Sequence, residues 1–164
     1  MIKMVVSALN IDPFTNSPIV ILKEDGGDIS VPIWIGLLEA TAIASELEKI
    51  KFSRPMTHDL LKNVLDYFQV DVSRVEVCDL KENTFYASIF LMVNGHEVSI
   101  DARPSDAIAL ALRSDAPIYV TEQVIMKSRS IDMSAKEEIK TEEAKKWTEI
   151  LESLSPEDFG KYKM

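Results

Sequence analysis

Residues 96–113, HEVSIDARPSDAIALALR, change period in mid-course. Val98 and Ile100 alternate as on a strand, and from Pro104 onward the apolar residues recur as on a helix. Pro104 suits the first helical position, where its missing N–H costs nothing and its φ is already helical. A strand must therefore run almost directly into a helix. The corner between them collects Asp101, Arg103, Ser105 and Asp106. A helix N-terminus favours anions, and a rigid strand aims whatever it carries. A purely structural reading stands beside this one, since an acid in a first turn stabilises its own helix and Asp101 can cap a backbone amide.

The remaining pattern implies two similar units. Strands are expected at 2–10, 18–23 and 29–35, with a turn at Asp25-Gly26-Gly27-Asp28, then a helix over 36–50. A second helix over 57–68, capped by Thr57, carries Leu60, Leu61, Val64, Leu65 and Phe68 as its buried stripe. Strands at 72–80, 84–93 and 96–101 follow, the last two joined through Asn94-Gly95, a strong hairpin signal. The corner helix, a short strand at 118–120 and a helix from about 122 complete the domain. Laying VPIWIGLLEATAIASEL (31–47) over VSIDARPSDAIALAL (98–112) brings Glu39-Ala40 onto Asp106-Ala107. The expected fold is α+β: duplicated strand-strand-strand-helix units around a mixed or antiparallel sheet. Residues 1–128 form the domain, and 129–164 form a charged tail. Within the tail, 134–153 reads as an amphipathic helix with Ile139, Trp147, Ile150, Leu151 and Leu154 on one side, followed by a turn anchored by Phe159.

Composition narrows the function. The 164 residues carry 27 acids against 18 bases, a net charge of −9, which argues against binding nucleic acid by bulk charge but not against a metal-dependent enzyme that meets a phosphate backbone through a local patch. One cysteine, Cys78, forms no internal disulfide, and its place beside Val75 and Val77 predicts a buried thiol. The first residues lack a signal-peptide core, and no run reaches the about 18–20 apolar residues of a membrane span. A soluble cytoplasmic protein is expected. Phosphate-loop, dinucleotide, zinc-protease and nucleophile-elbow motifs are absent, and two histidines with one cysteine make no usual zinc site.

Oxygen ligands and cations near the corners remain: Glu39, Asp101 and Asp106, with Arg54, His58, Asp59, Arg103 and Arg113. Hard divalent ions prefer carboxylates, and phosphoryl transfer needs positive charge where negative charge develops. Arg54-Pro55-Met56-Thr57-His58-Asp59 repeats the corner's logic of Arg-Pro, a hydroxyl and an acid entering a helix. A histidine at position 58 suits acid–base work, though a surface first-turn histidine is the plainer reading. Trp34 and Tyr86 either stack on a base or pack in the core.

The ordered runs PIWIGLLEATAIASEL, RPMTHDLL, TFYASIFL and IDARPSDAIALALR followed by PIYV resemble the bifunctional nuclease domain family over about residues 2–127. The resemblance implies a duplicated α+β fold, a dimer, and cleavage of both DNA and RNA. The matching positions are Glu39, Arg54, Thr57, His58, Asp59, Asp101, Arg103, Ser105, Asp106 and Arg113. Our assignment is a metal-assisted nuclease acting on single-stranded or unstructured DNA and RNA, with Asp101, Asp106, Glu39 and His58 catalytic and the three acids holding Mg²⁺ or Mn²⁺. Arg54, Arg103, Ser105, Thr57 and Arg113 would hold substrate. The alternative is a non-catalytic binding or dimeric assembly module whose Arg and Asp corners are structural ion pairs or a small-anion site.

Overall fold

A computed structural model describes residues 1–132 and 142–153. The first unit comprises β1 (Ile2–Ile11), β2 (Pro18–Glu24), β3 (Ser30–Trp34) and α1 (Leu37–Leu47). The connecting helix α2 (Thr57–Tyr67) leads to the second unit: β4 (Asp71–Lys81), β5 (Thr84–Val93), β6 (His96–Ala102) and α3 (Pro104–Ser114). Strand β7 (Ile118–Val120) and helices α4 (Glu122–Asp132) and α5 (Glu142–Ser153) follow.

Each unit is an antiparallel meander, because its turns are short and glycine or asparagine supplies positive φ where a tight reversal needs it, as at Asn94 and Gly95. The sheet order is β3-β2-β1-β7-β4-β5-β6. Three-residue β7 pairs antiparallel with β1 and parallel with β4, which makes the sheet mixed. The two meanders therefore run in opposite senses about β7, as two copies related by an approximate two-fold axis would. Ile118 and Val120 are buried where they pair with Met4 and Ile2 on one side and Val75 and Val77 on the other. The expected α+β duplication is the observed architecture.

Helices α1 and α3 pack against each other and against the sheet. Their buried positions are mostly small: Ala40, Ile43 and Ala44 in α1, and Ala107, Ala109, Leu110 and Ala111 in α3. Beneath α3, every second residue of β4 and β5 is buried (Val75, Val77, Ala87, Ile89, Leu91), whereas Ser88, Phe90 and Met92 between them remain partly open. On that open face the Arg74 guanidinium lies 3.7 Å over the Phe90 ring.

Several local expectations are corrected. Helix α1 stops at Leu47, because Lys49 enters the left-handed region at φ 54°. Met56, not Thr57, is the N-cap of α2: its backbone is extended, and its N–H donates to Asp59 Oδ2 at 3.0 Å. The stripe expected to be buried on α2 is open. Leu60, Leu61, Val64 and Phe68 are 55%, 40%, 43% and 70% exposed, and of the five only Leu65 is partly covered. The helix meets α3 instead through its polar side, where His58 and Asp59 lie. Cys78 is half-buried, its thiol 3.6 Å from the Tyr86 carbonyl. In the tail, Trp147 and Leu151 of α5 are buried and Ile150 is exposed; Ile139, Leu154 and the Phe159 turn lie outside the described residues. Among the described residues no helix is long and apolar enough to cross a membrane.

Ala107→Leu is expected to force α1 and α3 apart and cost about 1–3 kcal/mol, the usual penalty of overpacking, which chemical denaturation followed by circular dichroism measures.

Candidate phosphate-binding cleft

Both corners place an acid at the third helical position, Glu39 in α1 and Asp106 in α3. The N-cap residues differ, and that difference makes the site. Gly36 caps α1, and a Cβ there would collide with the Glu39 carboxylate, so the missing side chain gives Glu39 room to fold back over its helix N-terminus. Arg103 caps α3 and spans the gap between the units. Its Nη1 donates to Glu39 Oε1 at 2.7 Å, its Nε to Asp106 Oδ2 at 2.7 Å, and its Nη2 to Asp106 Oδ1 at 3.1 Å. His58 reaches the same carboxylate from α2, with Nε2 2.9 Å from Asp106 Oδ1. An ionised carboxylate only accepts, so Nε2 carries the hydrogen in this pair.

Electrostatics follow from these contacts. Burial works against the Asp106 charge, but hydrogen bonds from Arg103 and His58 outweigh it and hold the carboxyl below its ordinary value. Asp106 and then Glu39 raise the already high pKa of Arg103. The Arg103 side chain nonetheless remains 64% exposed. It borders a cleft of about 640 Å³. The cleft is lined by residues 33–36 and Glu39 from the first unit, by residues 103–105 from the second, and by Ser17, Asn83 and the start of β5 at Thr84 and Phe85.

The other candidate residues lie elsewhere or do other work. Asp101 pairs with Ser88 across β6 and β5, whereas Ile100 and Ala102 sit opposite the buried Ile89 and Ala87. Strand alternation thus puts Asp101 on the face opposite those buried partners, and it shares no hydrogen bond or ion pair with Glu39 or Asp106. Arg113 is 5% exposed; its Nε donates to Asp59 Oδ1 at 2.7 Å and its Nη1 to the carbonyls of Ala42 and Ala109 at 3.0 Å each. It ties α1, α2 and α3 together. Arg54 and Thr57 are exposed and do not line the cleft, while Ser105 is buried at its wall. Trp34 borders the cleft; Tyr86 does not, lying 40% exposed beneath the Lys81 ammonium. Sequence reasoning missed Gly36, Ser17, Asn83 and Phe85. Only Gly36 left a signal, as the partner of Arg103 once the two units are superposed in sequence.

The expected divalent ion would need oxygen or nitrogen donors converging on one point. Glu39, Asp106 and His58 supply suitable atoms, but the Arg103 guanidinium stands between the two carboxylates. Among the described residues no three His, Cys, Asp or Glu side chains form a cation cage. As arranged, the residues do not fit such an ion; they fit a cation already present, the arginine.

A family model described as the bifunctional nuclease domain matches residues 20–133, most of the chain and both corners. The chain belongs to the bifunctional nuclease domain family. It is 37% identical over 159 residues to an uncharacterized protein of Mycobacterium tuberculosis, covering 94% of this chain and 95% of that one. It is 28% identical over 116 residues to bifunctional nuclease 1 of Oryza sativa subsp. indica, and 30% identical over 109 residues to bifunctional nuclease 1 of Arabidopsis thaliana. These alignments cover 69% and 64% of this chain but only 35% and 34% of the plant proteins, so the chain matches about a third of their length.

Asp59 offers a pH test of the helix tie. Burial opposes its charge, but hydrogen bonds from Arg113 and the Met56 N–H prevail and hold its carboxyl below the ordinary value. Its contribution is present above the unfolded value of about 3.9 and is lost as pH falls through the lower folded value. Asp59→Asn is expected to cost about 1–3 kcal/mol at pH 7. The gap from wild type should narrow at pH 3, as denaturant titrations at the two pH values will report.

Proposed function

We propose that this chain is a nuclease that hydrolyses phosphodiester bonds in DNA and RNA, with the cleft between the two corners as its phosphate-binding place. One observation carries the reading: an exposed arginine, held at a helix N-terminus by two acids from different units, borders an open cleft. In this reading an entering phosphate takes over the outward donors of Arg103 and releases Glu39, the carboxylate that lines the cleft. Glu39 then accepts the proton of a water attacking phosphorus. As the new P–O bond forms, the bond from phosphorus to the departing sugar oxygen breaks and that oxygen takes a proton from solvent, while Arg103 stabilises the charge that develops on the phosphate oxygens. Asp106 positions Arg103, and His58 steadies Asp106. Asp101 has no part at the reacting atoms.

Membership in the bifunctional nuclease domain family and similarity to plant proteins named bifunctional nucleases support a nucleic acid as substrate. With labelled single-stranded DNA and RNA, Arg103→Ala and Glu39→Gln are each expected to lower cleavage by about 100-fold or more, in line with losing one charged transition-state contact. Activity unchanged in both variants removes the cleft from the reaction. The Mg²⁺ or Mn²⁺ requirement belongs to the same assay. Loss in EDTA, restored by either ion, supports an ion that displaces Arg103 from the carboxylates, and full activity in EDTA supports the arginine alone.

A separate observation supports self-association. Helix α2 presents Leu60, Leu61, Val64, Tyr67 and Phe68 to solvent on one side, more apolar surface than one helix of a monomer ordinarily leaves open. A second copy related by a two-fold axis would bury this surface against itself. We expect a homodimer by light scattering, and a monomer for the Leu60→Glu, Phe68→Glu double variant.

A further inference from the structure

The phosphate-binding reading leaves most of the cleft wall unused. The arginine takes up one corner, and much of the remainder is apolar. Trp34, at the end of outer strand β3, borders the cleft with 36% of its surface exposed. The indole edge is tied to a neighbouring acid. Its Nε1–H donates to Asp12 Oδ2 at 3.0 Å, and Asp12 Oδ1 in turn accepts the Phe14 N–H at 2.9 Å. The same indole bond is the largest influence holding the Asp12 carboxyl below its ordinary value. With the ring's one donor already used, the ring has only its π surface to offer an incoming group.

Arg103 is the one Lys or Arg among the described residues lining the cleft, and Glu39 and Asp106 already share it. A duplex needs many cations along two strands, and it keeps its base faces stacked inside. The chain's net charge of −9 adds repulsion at every phosphate beyond the first. A volume of about 640 Å³ is the size of a small-ligand site. One aromatic face, one cation and a confined space together describe a single unstacked nucleotide.

We infer that the cleft accepts one nucleotide of a single strand, with its base stacked on Trp34 and its phosphate on Arg103. This rests on the phosphate-binding reading above and adds the substrate class: single-stranded DNA or RNA, without regard to sequence, and not duplex. Trp34 is then a substrate-binding residue. Asp12, which holds the ring's edge, is a positioning residue.

The chain contains two tryptophans, and the other, Trp147, is buried against β1 and α1, away from the cleft. Intrinsic fluorescence therefore reads the site directly. The full chain is titrated with phosphorothioate oligothymidylate, which resists cleavage, and with a phosphorothioate duplex of equal length. Binding is followed in parallel by anisotropy of end-labelled oligonucleotide. Quenching by the single strand is expected at concentrations at least tenfold below those at which the duplex acts. Trp34→Leu should abolish the quenching and weaken binding by about tenfold, while Trp34→Phe retains most of the affinity. The salt dependence should be shallow, with a slope of about −0.7 in log–log form for one phosphate contact on a single strand. Retained far-UV dichroism in both variants excludes misfolding as the cause.

Emission indifferent to the single strand, equal quenching by duplex, or undiminished affinity in Trp34→Leu would overturn the inference. Cleavage without any response of Trp34 sinks the stacking site and leaves the nuclease reading standing. Specific quenching without cleavage does the reverse: the single-strand site stands, and the chain is a binding module.

Discussion

The close approach of α1 and α3 governs everything above the sheet. Ala40, Ala44, Ala107 and Ala111 are buried in these two helices, and side chains this small let helix axes lie nearer than leucine would. That approach brings two helix N-termini, one from each unit, to the rim of one cleft. Glu39 and Asp106 would repel each other there if nothing intervened. The guanidinium of Arg103 resolves the conflict by bonding to both. The cleft is thus the outcome of duplicated backbone and unduplicated side chains: the same corner twice, with glycine at one N-cap and arginine at the other.

Arginine does two different jobs within one helix. Arg113, near the end of α3, is buried and spends Nε and Nη1 on Asp59 and two carbonyls. Arg103, at its start, is open to solvent while bonded to two acids. A buried charge paired with a carboxylate and backbone carbonyls is costly to disturb and serves geometry. An exposed charge held by carboxylates can exchange them for another anion at modest cost, because water screens both states. The two arginines are equivalent in composition, and burial separates their roles.

The fold carries its own unfinished surface. Helix α2 meets α3 with its polar side and leaves its apolar side open, an inversion of the usual arrangement. The His58 and Asp59 bonds explain the choice, since they require α2 to turn those residues inward toward Asp106 and Arg113. Placing the polar contacts at the helix seam leaves Leu60, Val64 and Phe68 on the outside.

Much of this architecture was legible in the residues alone. Alternation gave the six meander strands, Asn94-Gly95 gave a hairpin, and the recurrence of an acid followed by alanine gave the duplication, because local backbone preference and side-chain period act over a few residues. The same local reasoning marked Glu39, Asp106, Arg103 and His58 as a group of interest. It failed where the outcome depended on which neighbour a face meets. Helical periodicity identifies an apolar stripe without saying what covers it, and on α2 nothing among the described residues does: Leu60, Leu61, Val64 and Phe68 stay exposed. Proximity in sequence put Asp101 beside Asp106, but strand alternation turned its side chain to the other face. The sequence by itself determined the two units and the chemistry each corner carries. Only the packing of the units decided that one arginine would serve both acids and that Trp34 would line the same cleft, because contacts between residues 64 or more positions apart are set by the closure of the sheet around β7.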